Sequence, residues 1–364
     1  VVVVYLDFCK AFDKMSHVLL IHKLKQRRIP LQLLDWIVSF LHNRRQRVVI
    51  GESKSEWAPV TSGVPQGSVL GPLLFNIFID DLDDVLHSEV KIKKFADDTK
   101  LYIIYDAADH MHAAMKLQAS LDAVLAWCDQ WLMQLNISKC SAMHFGTRNP
   151  HTQYSLHGTA LSKTETTRDL GVIVSNCGTV SQQCLTVAAK ARRLTGLMLR
   201  TFNSRKRNVV VPLLKTIIRP VVEYATAVWN PCLVKDIAEV ENVQRKVTKC
   251  IRGLSHLSYS DRLRQLNLPT LKTRRQYFDM LECYKIVHGT VRSECRKAIS
   301  LSDNRTRGYQ CKVTSLLPPA LLNVRKHFFT ERVLAEWNAL PAEIVQQISY
   351  RHFKSALRKH LNVN

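Results

Sequence analysis

The sequence predicts an α+β fold, and three observations predict it. VVVVYL, residues 1–6, is a short, continuous, β-branched apolar run suited to a strand buried on both faces. KIKKFADDTKLYII, residues 91–104, sets Asp97 and Asp98 between two short runs that alternate apolar and polar residues, which reads as strand, tight turn, strand. From about residue 180 the apolar residues recur at three-four spacing, and the chain turns helical.

The 364 residues leave room for two or three domains and a sizeable core, and no apolar run approaches the length needed to cross a membrane. The 52 Lys and Arg against 30 Asp and Glu give +22, unevenly placed. Residues 1–150 carry 17 basic and 16 acidic residues, net +1, while residues 151–364 carry 35 and 14, net +21. An acidic polymer is the natural partner, and nucleic acid is favoured over an anionic membrane because the charges spread over many elements rather than one amphipathic helix. The ten cysteines form no Cys-x-x-Cys and no dense framework, so they read as mostly buried, reduced thiols of an intracellular protein. Cys283, His288, Cys295 and Cys311 lack the spacing of a zinc finger or knuckle.

In chain order, Asp7 leaves the first strand at its C-terminal end, and Asp13 follows in DFCKAFD. Each can also be read as a helix N-cap before SHVLLIHKLKQ, the preferred reading for Asp13. Residues 16–29 and 31–42 predict two helices separated by Pro30, and RRQRVVIGESKSEWAPV predicts a hairpin turning at Gly51. Gly63, Pro65, Gly67 and Gly71 frame a loop where backbone can approach a ligand closely, before an apolar helix in LLFNIFIDDL. Asp80, Asp81, Asp83 and Asp84 read as a solvated helix end rather than a metal cluster. Asp7, meeting the Asp97–Asp98 turn, would make a carboxylate cluster able to hold two divalent ions, and hard oxygen ligands suit Mg²⁺. Further on, VENVQRKVTKCIRGL puts Val243, Val247, Cys250 and Leu254 on one helix face. Arg245, Lys249 and Arg252 recur on another, a stripe able to follow a phosphate backbone. Residues 256–364 read as a basic, mostly helical region with Ser300–Gln310 as an exposed loop, and its role is assigned from charge alone to RNA or target-DNA binding.

DFCKAFD, SGVPQGSVLGPLLFNIFIDDL and FADDTK, in that order, closely resemble the palm of reverse transcriptases, and among those the non-LTR (LINE-type, jockey-like) retrotransposons of animals. The resemblance continues through WLMQLNISKCSAMHF, RDLGVIV, IIRPVVEYATAVWNP and VQRKVTKCIRGLSH, so it spans nearly the whole chain. It implies a right-hand polymerase palm, an antiparallel sheet with packed helices, followed by a helical thumb and a helical C-terminal region. The expected divisions are 1–168 for palm with partial fingers, 169–255 for primer grip and thumb, and 256–364 for the basic region. Carried over by position, it implies Asp7, Asp97 and Asp98 as ligands of two Mg²⁺ ions (Mn²⁺ as substitute) and Lys139 as the proton donor to departing pyrophosphate. Phe8, Phe12, Gln66 and Gly67 would line the nucleotide site, Phe12 as the gate against a ribose 2′-hydroxyl. Phe95, Ala96, Leu170, Gly171, Lys190, Arg193, Arg245, Lys249 and Arg252 would contact primer and template. Core packing for Phe12 and a solvated side chain for Lys139 are the readings the residues alone favour.

The partners so implied are an RNA template, a DNA primer or target DNA and dNTPs, with no membrane, and the resemblance implies nuclear work. The chain opens without Met inside a strand, and the fingers motifs that precede the first Asp strand in such enzymes do not appear, so a 5′-truncated copy that polymerises poorly is expected. The leading reading is an RNA-directed DNA polymerase. The alternative is a catalytically deficient, nucleic-acid-binding remnant of such an element, and metal-dependent incorporation separates the two.

Overall fold

The computed structural model describes residues 1–146, 149–301, 311–320 and 322–363. The chain divides into two units, Val1–Leu170 with Ser175–Cys177, and Gly171–Val174 with Gly178–Asn364.

In the first unit, β1 (Val2–Leu6) leads through α1 (Ala11–Lys14) to α2 (His17–Gln26) and α3 (Leu31–Leu41). Ser16, not Asp13, caps α2 by accepting from the Leu19 N–H, and Asp13 lies inside α1, so the capping role expected of Asp13 is corrected. The hairpin turning at Gly51 is present as β2 (Arg45–Gln46), β3 (Val49–Ile50), β4 (Ser53–Lys54) and β5 (Ala58–Pro59). Then come α4 (Leu70–Phe78), β6 (Lys91–Phe95), β7 (Asp98–Ile103), α5 (His110–Gln130), β8 (Ser141–His144), the short pair β9 (Ser155–Leu156) and β10 (Thr159–Ala160), β11 (Ser162–Lys163) and β12 (Thr166–Asp169). Five strands form one sheet in the order β11-β8-β1-β7-β6, antiparallel except where β11 joins β8. Strand alternation sorts the sheet into two faces. Val2, Val4, Leu6, Leu101 and Ile103 point into a core closed by Leu20 and Leu24 of α2, Phe75 and Phe78 of α4, and Leu117 and Leu121 of α5. Each such side chain stabilises the fold by about 1.5–3 kcal/mol. The intervening residues, Tyr5 and Asp7 on β1 and its extension, Asp98 and Lys100 on β7, fall on the other face, which no helix of this core covers.

In the acidic run after α4, Asp80, Asp83 and Asp84 are exposed, as expected of a solvated helix end, and Asp81 departs from it as half-buried. Lys23, buried, donates to Asp81 at 2.5 Å and to the Phe78 carbonyl, and its ammonium lies 3.7 Å from the Trp131 ring centre. Burial outweighs Asp81 and brings its pKa down to about 8. Arg27 pairs with Asp80, and Lys94 with Asp83. Three separate cations therefore pair with three acids of a run that stays largely in solvent.

The second unit holds β13 (Val172–Ser175, its last residue in the first unit) and α6 (Ser181–Thr201). Next, α7 (Arg207–Leu213) continues through a π-helical turn at Leu214–Ile218 into α8 (Arg219–Glu223), followed by α9 (Thr226–Trp229), α10 (Val234–Lys249), α11 (Tyr259–Leu266) and α12 (Leu271–Val287). A short pair, β14 (Ile299–Leu301) and β15 (Val313–Ser315), precedes α13 (Asn323–Lys326), α14 (Phe329–Asn338), α15 (Ala342–Val345) and α16 (Tyr350–His360). Two apolar clusters fill the unit, one around Leu214, Ile218, Val243 and Val247, the other around Cys283, Trp337 and Phe353. Leu271 at the start of α12 joins the first and Tyr284 near its end joins the second, so this helix runs through both. Val243 and Val247 are buried as their spacing predicts, but α10 ends at Lys249, which leaves Arg252 in the turn beyond it rather than on the helical stripe. Ser300 and Leu301 lie in β14; the rest of the loop expected at 300–310 lies outside the described residues. Four of the ten cysteines are buried, four half-buried and two exposed, fewer buried than composition led us to expect. No helix among the described residues is long and apolar enough to cross a membrane.

Candidate active site

The site is built by strand register. Leu6 stands opposite Thr99 in the β1–β7 pairing, and continuing that register by one residue sets Asp7 opposite Asp98. Two like charges facing each other across strands repel, so this placement is unfavourable without a cation. Phe95 pairs with Asp98, which leaves Ala96 and Asp97 as a two-residue turn, with Ala96 at φ 53°. A positive φ at the first turn position suits the right-handed twist of a hairpin and normally belongs to glycine. Burial first, then the carboxylates of Asp97, Asp169 and Asp7, push the Asp98 pKa above the usual carboxylate range. All three expected acids are thus electrostatic neighbours.

The chain after β1 is held by a second partner. Phe8 bridges to Leu135, the Cys9 N–H donates to the Gln134 carbonyl at 2.7 Å and the Asn136 N–H to the Asp7 carbonyl at 2.7 Å. The turn that follows, closed by the Lys139 N–H donating to the Asn136 carbonyl, brings Lys139 Nζ to 3.5 Å from Asp7 Oδ2. Both side chains are well exposed, so this ion pair is weak and free to re-form with a more highly charged partner.

Phe8 requires a correction. Its side chain is 4% exposed, in the core with Leu6 and Met133, and cannot touch a nucleotide; the alternation that turns Asp7 outward turns Phe8 inward. Phe12 is half-buried and stacks on Phe75 with ring centres 4.4 Å apart, so it packs on the core, as the residues alone favour, and keeps part of its surface open. The glycine loop lies directly on this segment. The Val64 N–H donates to the Phe12 carbonyl, and a Cβ on Gly63 would stand 2.5 Å from that oxygen, so no other residue fits there. Gln66 Nε2 donates to Asp13 Oδ1 at 2.8 Å, which gives Asp13 its role and fixes the exposed Gln66 beside the open backbone of Gly67 (φ 83°).

A cavity of about 390 Å³ opens on this face of the sheet, lined by Tyr5, Asp7, Phe95, Asp98, Lys100, Lys139, Ser141 and Asp169 among others. Lys100 pairs with Asp169 at the end of β12. Sequence reasoning missed that pair, although strand parity carried half of it: Lys100 stands two residues after Asp98 and must share its face. Beyond Asp169, Leu170 and Gly171 both take positive φ (45° and 82°), the two central positions of a type I′ turn, and a leucine there is strained by about 1–2 kcal/mol. The division between the two units falls inside this turn. In the second unit Lys190, Arg193, Arg245, Lys249 and Arg252 are all exposed; Arg245 also lies over the Tyr259 ring at 4.8 Å.

No three His, Cys, Asp or Glu side chains among the described residues are gathered tightly enough to hold a metal ion unaided. The donor set nevertheless fits magnesium. That ion keeps several waters and is typically bound through one or two carboxylates plus substrate phosphates, and Asp7 and Asp98 face each other as an oxygen pair with only the weak Lys139 contact on Asp7 to answer it.

Residues 1–174 match the family model described as reverse transcriptase (RNA-dependent DNA polymerase). The RNA-directed DNA polymerase from mobile element jockey of Drosophila melanogaster is 28% identical over 320 residues, covering 83% of this chain and 34% of that protein. Its counterpart in Drosophila funebris is 30% identical over 263 residues, covering 68% and 28%. The chain thus spans about a third of the length of the curated relatives it matches. Among solved structures, telomerase from Candida albicans aligns with a TM-score of 0.40 at 14% identity, covering 73% of this chain and 41% of that one.

Proposed function

Residues 1–174 belong to the reverse transcriptase family, matching the RNA-directed DNA polymerases of non-LTR retrotransposons, and from that premise we propose that this chain adds dNTPs to a DNA primer on an RNA template. The observation that carries the reading is the cross-strand pair Asp7 and Asp98, with Asp97 at the adjoining turn, on the open face of the sheet.

Phosphoryl transfer asks a protein mostly for positioning and charge stabilisation. Asp7, Asp97 and Asp98 would hold two Mg²⁺ ions (Mn²⁺ as substitute), which when bound supply charge neutralisation at the reacting phosphate and activation of the attacking hydroxyl. The chain's own residues do the rest. Phe95 and Ala96 shoulder the primer end, and the Leu170–Gly171 turn seats its 3′ terminus. Phe12, held rigid against Phe75, presents a ring edge to the incoming sugar, where a 2′-hydroxyl would collide. Gln66, oriented by Asp13, and the open backbone at Gly67 face the nascent base pair. Lys139 is within 3.5 Å of Asp7 and reaches the side from which pyrophosphate departs, where its ammonium can stabilise the leaving charge and give up a proton. Lys190, Arg193, Arg245, Lys249 and Arg252 bind duplex phosphates. The target DNA of such an element is chromosomal, so we place this work in the nucleus.

Primer extension on an oligo(dT)-primed RNA template tests the reading. Mg²⁺-dependent extension by the wild type, at whatever rate, should be abolished in Asp97→Ala while binding of the primed template stays nearly unchanged. Extension surviving in Asp97→Ala would defeat the metal assignment, and equal inactivity of both proteins with tight binding would favour a chain that only holds nucleic acid.

A further inference from the structure

A second site stands in the second unit, remote in sequence from the residues above. A cavity of about 330 Å³ is lined by five cations, Lys215, Arg219, Arg274, Lys354 and Arg358. They come from the π-helical turn, α8, α12 and α16, so the cluster is a product of the fold rather than a run of basic sequence. Glu223 answers part of this charge, with both its oxygens accepting from Arg274. Arg358 Nε donates to the Val363 carbonyl, an uncharged partner.

The floor of the cavity is unfinished. Arg219 is 3% exposed, its Nε lies 4.0 Å from Glu223, too far for a hydrogen bond, and that buried nitrogen has no hydrogen-bond acceptor. Arg219 Nη2 donates to Gln244 Oε1 at 3.5 Å, so the shortfall is confined to Nε; a buried donor left without an acceptor is costly, and an anion that reached it would offset that cost. The charges are also crowded. Burial first, then Arg219, Arg274 and Arg358, hold the Lys215 ammonium below its ordinary range. Such mutual repulsion is relieved by an anion with several acceptor oxygens.

The cavity has a continuation. Lys215 also lines an adjoining, wider groove of about 650 Å³ with Arg207, Asn208 and Asn267. A lone anion needs no such extension, whereas successive nucleotides do. The amides of Asn208 and Asn267 offer donors and acceptors to sugar and base, and Arg274 over the Phe278 ring (5.4 Å) adds a flat surface at the cavity wall. We propose that this cavity and groove bind the phosphodiester backbone of a single RNA strand, with one phosphate seated on Arg219 and Lys215. The site is separate from the polymerase reading and needs no catalysis to be tested.

The test is fluorescence anisotropy of the full chain with a labelled single-stranded RNA, titrated at several salt concentrations. Lys215→Gln, Lys354→Gln and Arg358→Gln together remove exposed cations and spare the buried Arg219. A control triple, Arg264→Gln, Arg292→Gln and Lys312→Gln, removes the same charge from exposed positions outside the cavity. Each phosphate contact on a single strand is worth about 0.7 in the slope of log K against log salt, so the cavity variant should lose about 2 and the control much less. Equal losses in the two variants would overturn the site. Inorganic phosphate provides the second arm. It should compete with RNA at the wild-type cavity; a wild type whose melting temperature phosphate raises, without any RNA displaced, would mark a small-anion site and overturn the strand. Primer extension is scored apart: a wild type that binds RNA through the cavity yet extends no primer fails the polymerase reading and supports this one.

Discussion

Asp98 carries the tension of the site. Its pKa is raised by burial first and then by Asp97, Asp169 and Asp7. A carboxyl whose folded pKa exceeds its unfolded one costs stability in full above the folded value, and that cost vanishes below the unfolded value. Asp98→Asn should therefore raise the melting temperature at neutral pH in metal-free buffer. The gain should shrink as pH falls through the raised pKa and be gone near pH 3, as paired thermal melts across that range would read. A gain independent of pH would place its cause elsewhere. Single residues also mark where sequence reading stops. Asp7 was legible because a strand end and a turn are local features. Phe8 was assigned to the nucleotide because motif position says nothing about which face a side chain takes, and only the neighbouring register does. Asp13 was read as a cap because its partner, Gln66, lies 53 residues away.

At the scale of elements, β7 separates two jobs on alternate residues. Leu101 is fully buried and Lys100, one position earlier, lines the open cavity. Leu101→Ala should cost about 2–5 kcal/mol in urea unfolding. Lys100→Ala should stay within about 1 kcal/mol of wild type while slowing extension, because it frees Asp169 at the start of the Leu170–Gly171 turn. Extension unaffected by the loss of Lys100 would confine the pair to stability. β1, the β6–β7 hairpin with its tip, and the helices were readable from periodicity, since each pattern is complete within one segment, whereas the short strands β8–β11 and β14–β15 were not. The Lys100–Asp169 pair spans 69 residues, and the cations that answer Asp80, Asp81 and Asp83 arrive from α2, the residue that caps its end, and β6. No local pattern encodes such meetings.

Over the whole molecule, charge follows the division of labour. The first 150 residues are nearly neutral and hold the carboxylates, and the remainder carries +21. Changing Arg245, Lys249 and Arg252 together to Ala should flatten the salt dependence of duplex binding, each true phosphate contact being worth about 0.9 in slope. We expect a loss nearer 2 than 3, because Arg245 is already engaged with the Tyr259 ring. An unchanged slope in a salt titration would return all three to solvent. That the C-terminal half carries the charge suited to an acidic polymer was legible from composition, but where that charge gathers was not. The basic cavity draws on residues from 215 to 358, and no window of the sequence holds more than two of its cations within five positions.

The alternation along β1 and β7 has a consequence for how copies of such a chain can diverge. Core and site share one ruler with a period of two, so adding or deleting a single residue between Asp98 and Leu101 would put the two on one face, turning either the carboxylate inward or the leucine outward. Substitutions on either face can be absorbed one at a time, but a change of length cannot. The spacing from the Asp-Asp turn to the end of its strand should outlast the identity of nearly every residue within it, and decayed copies should lose their letters long before they lose this count.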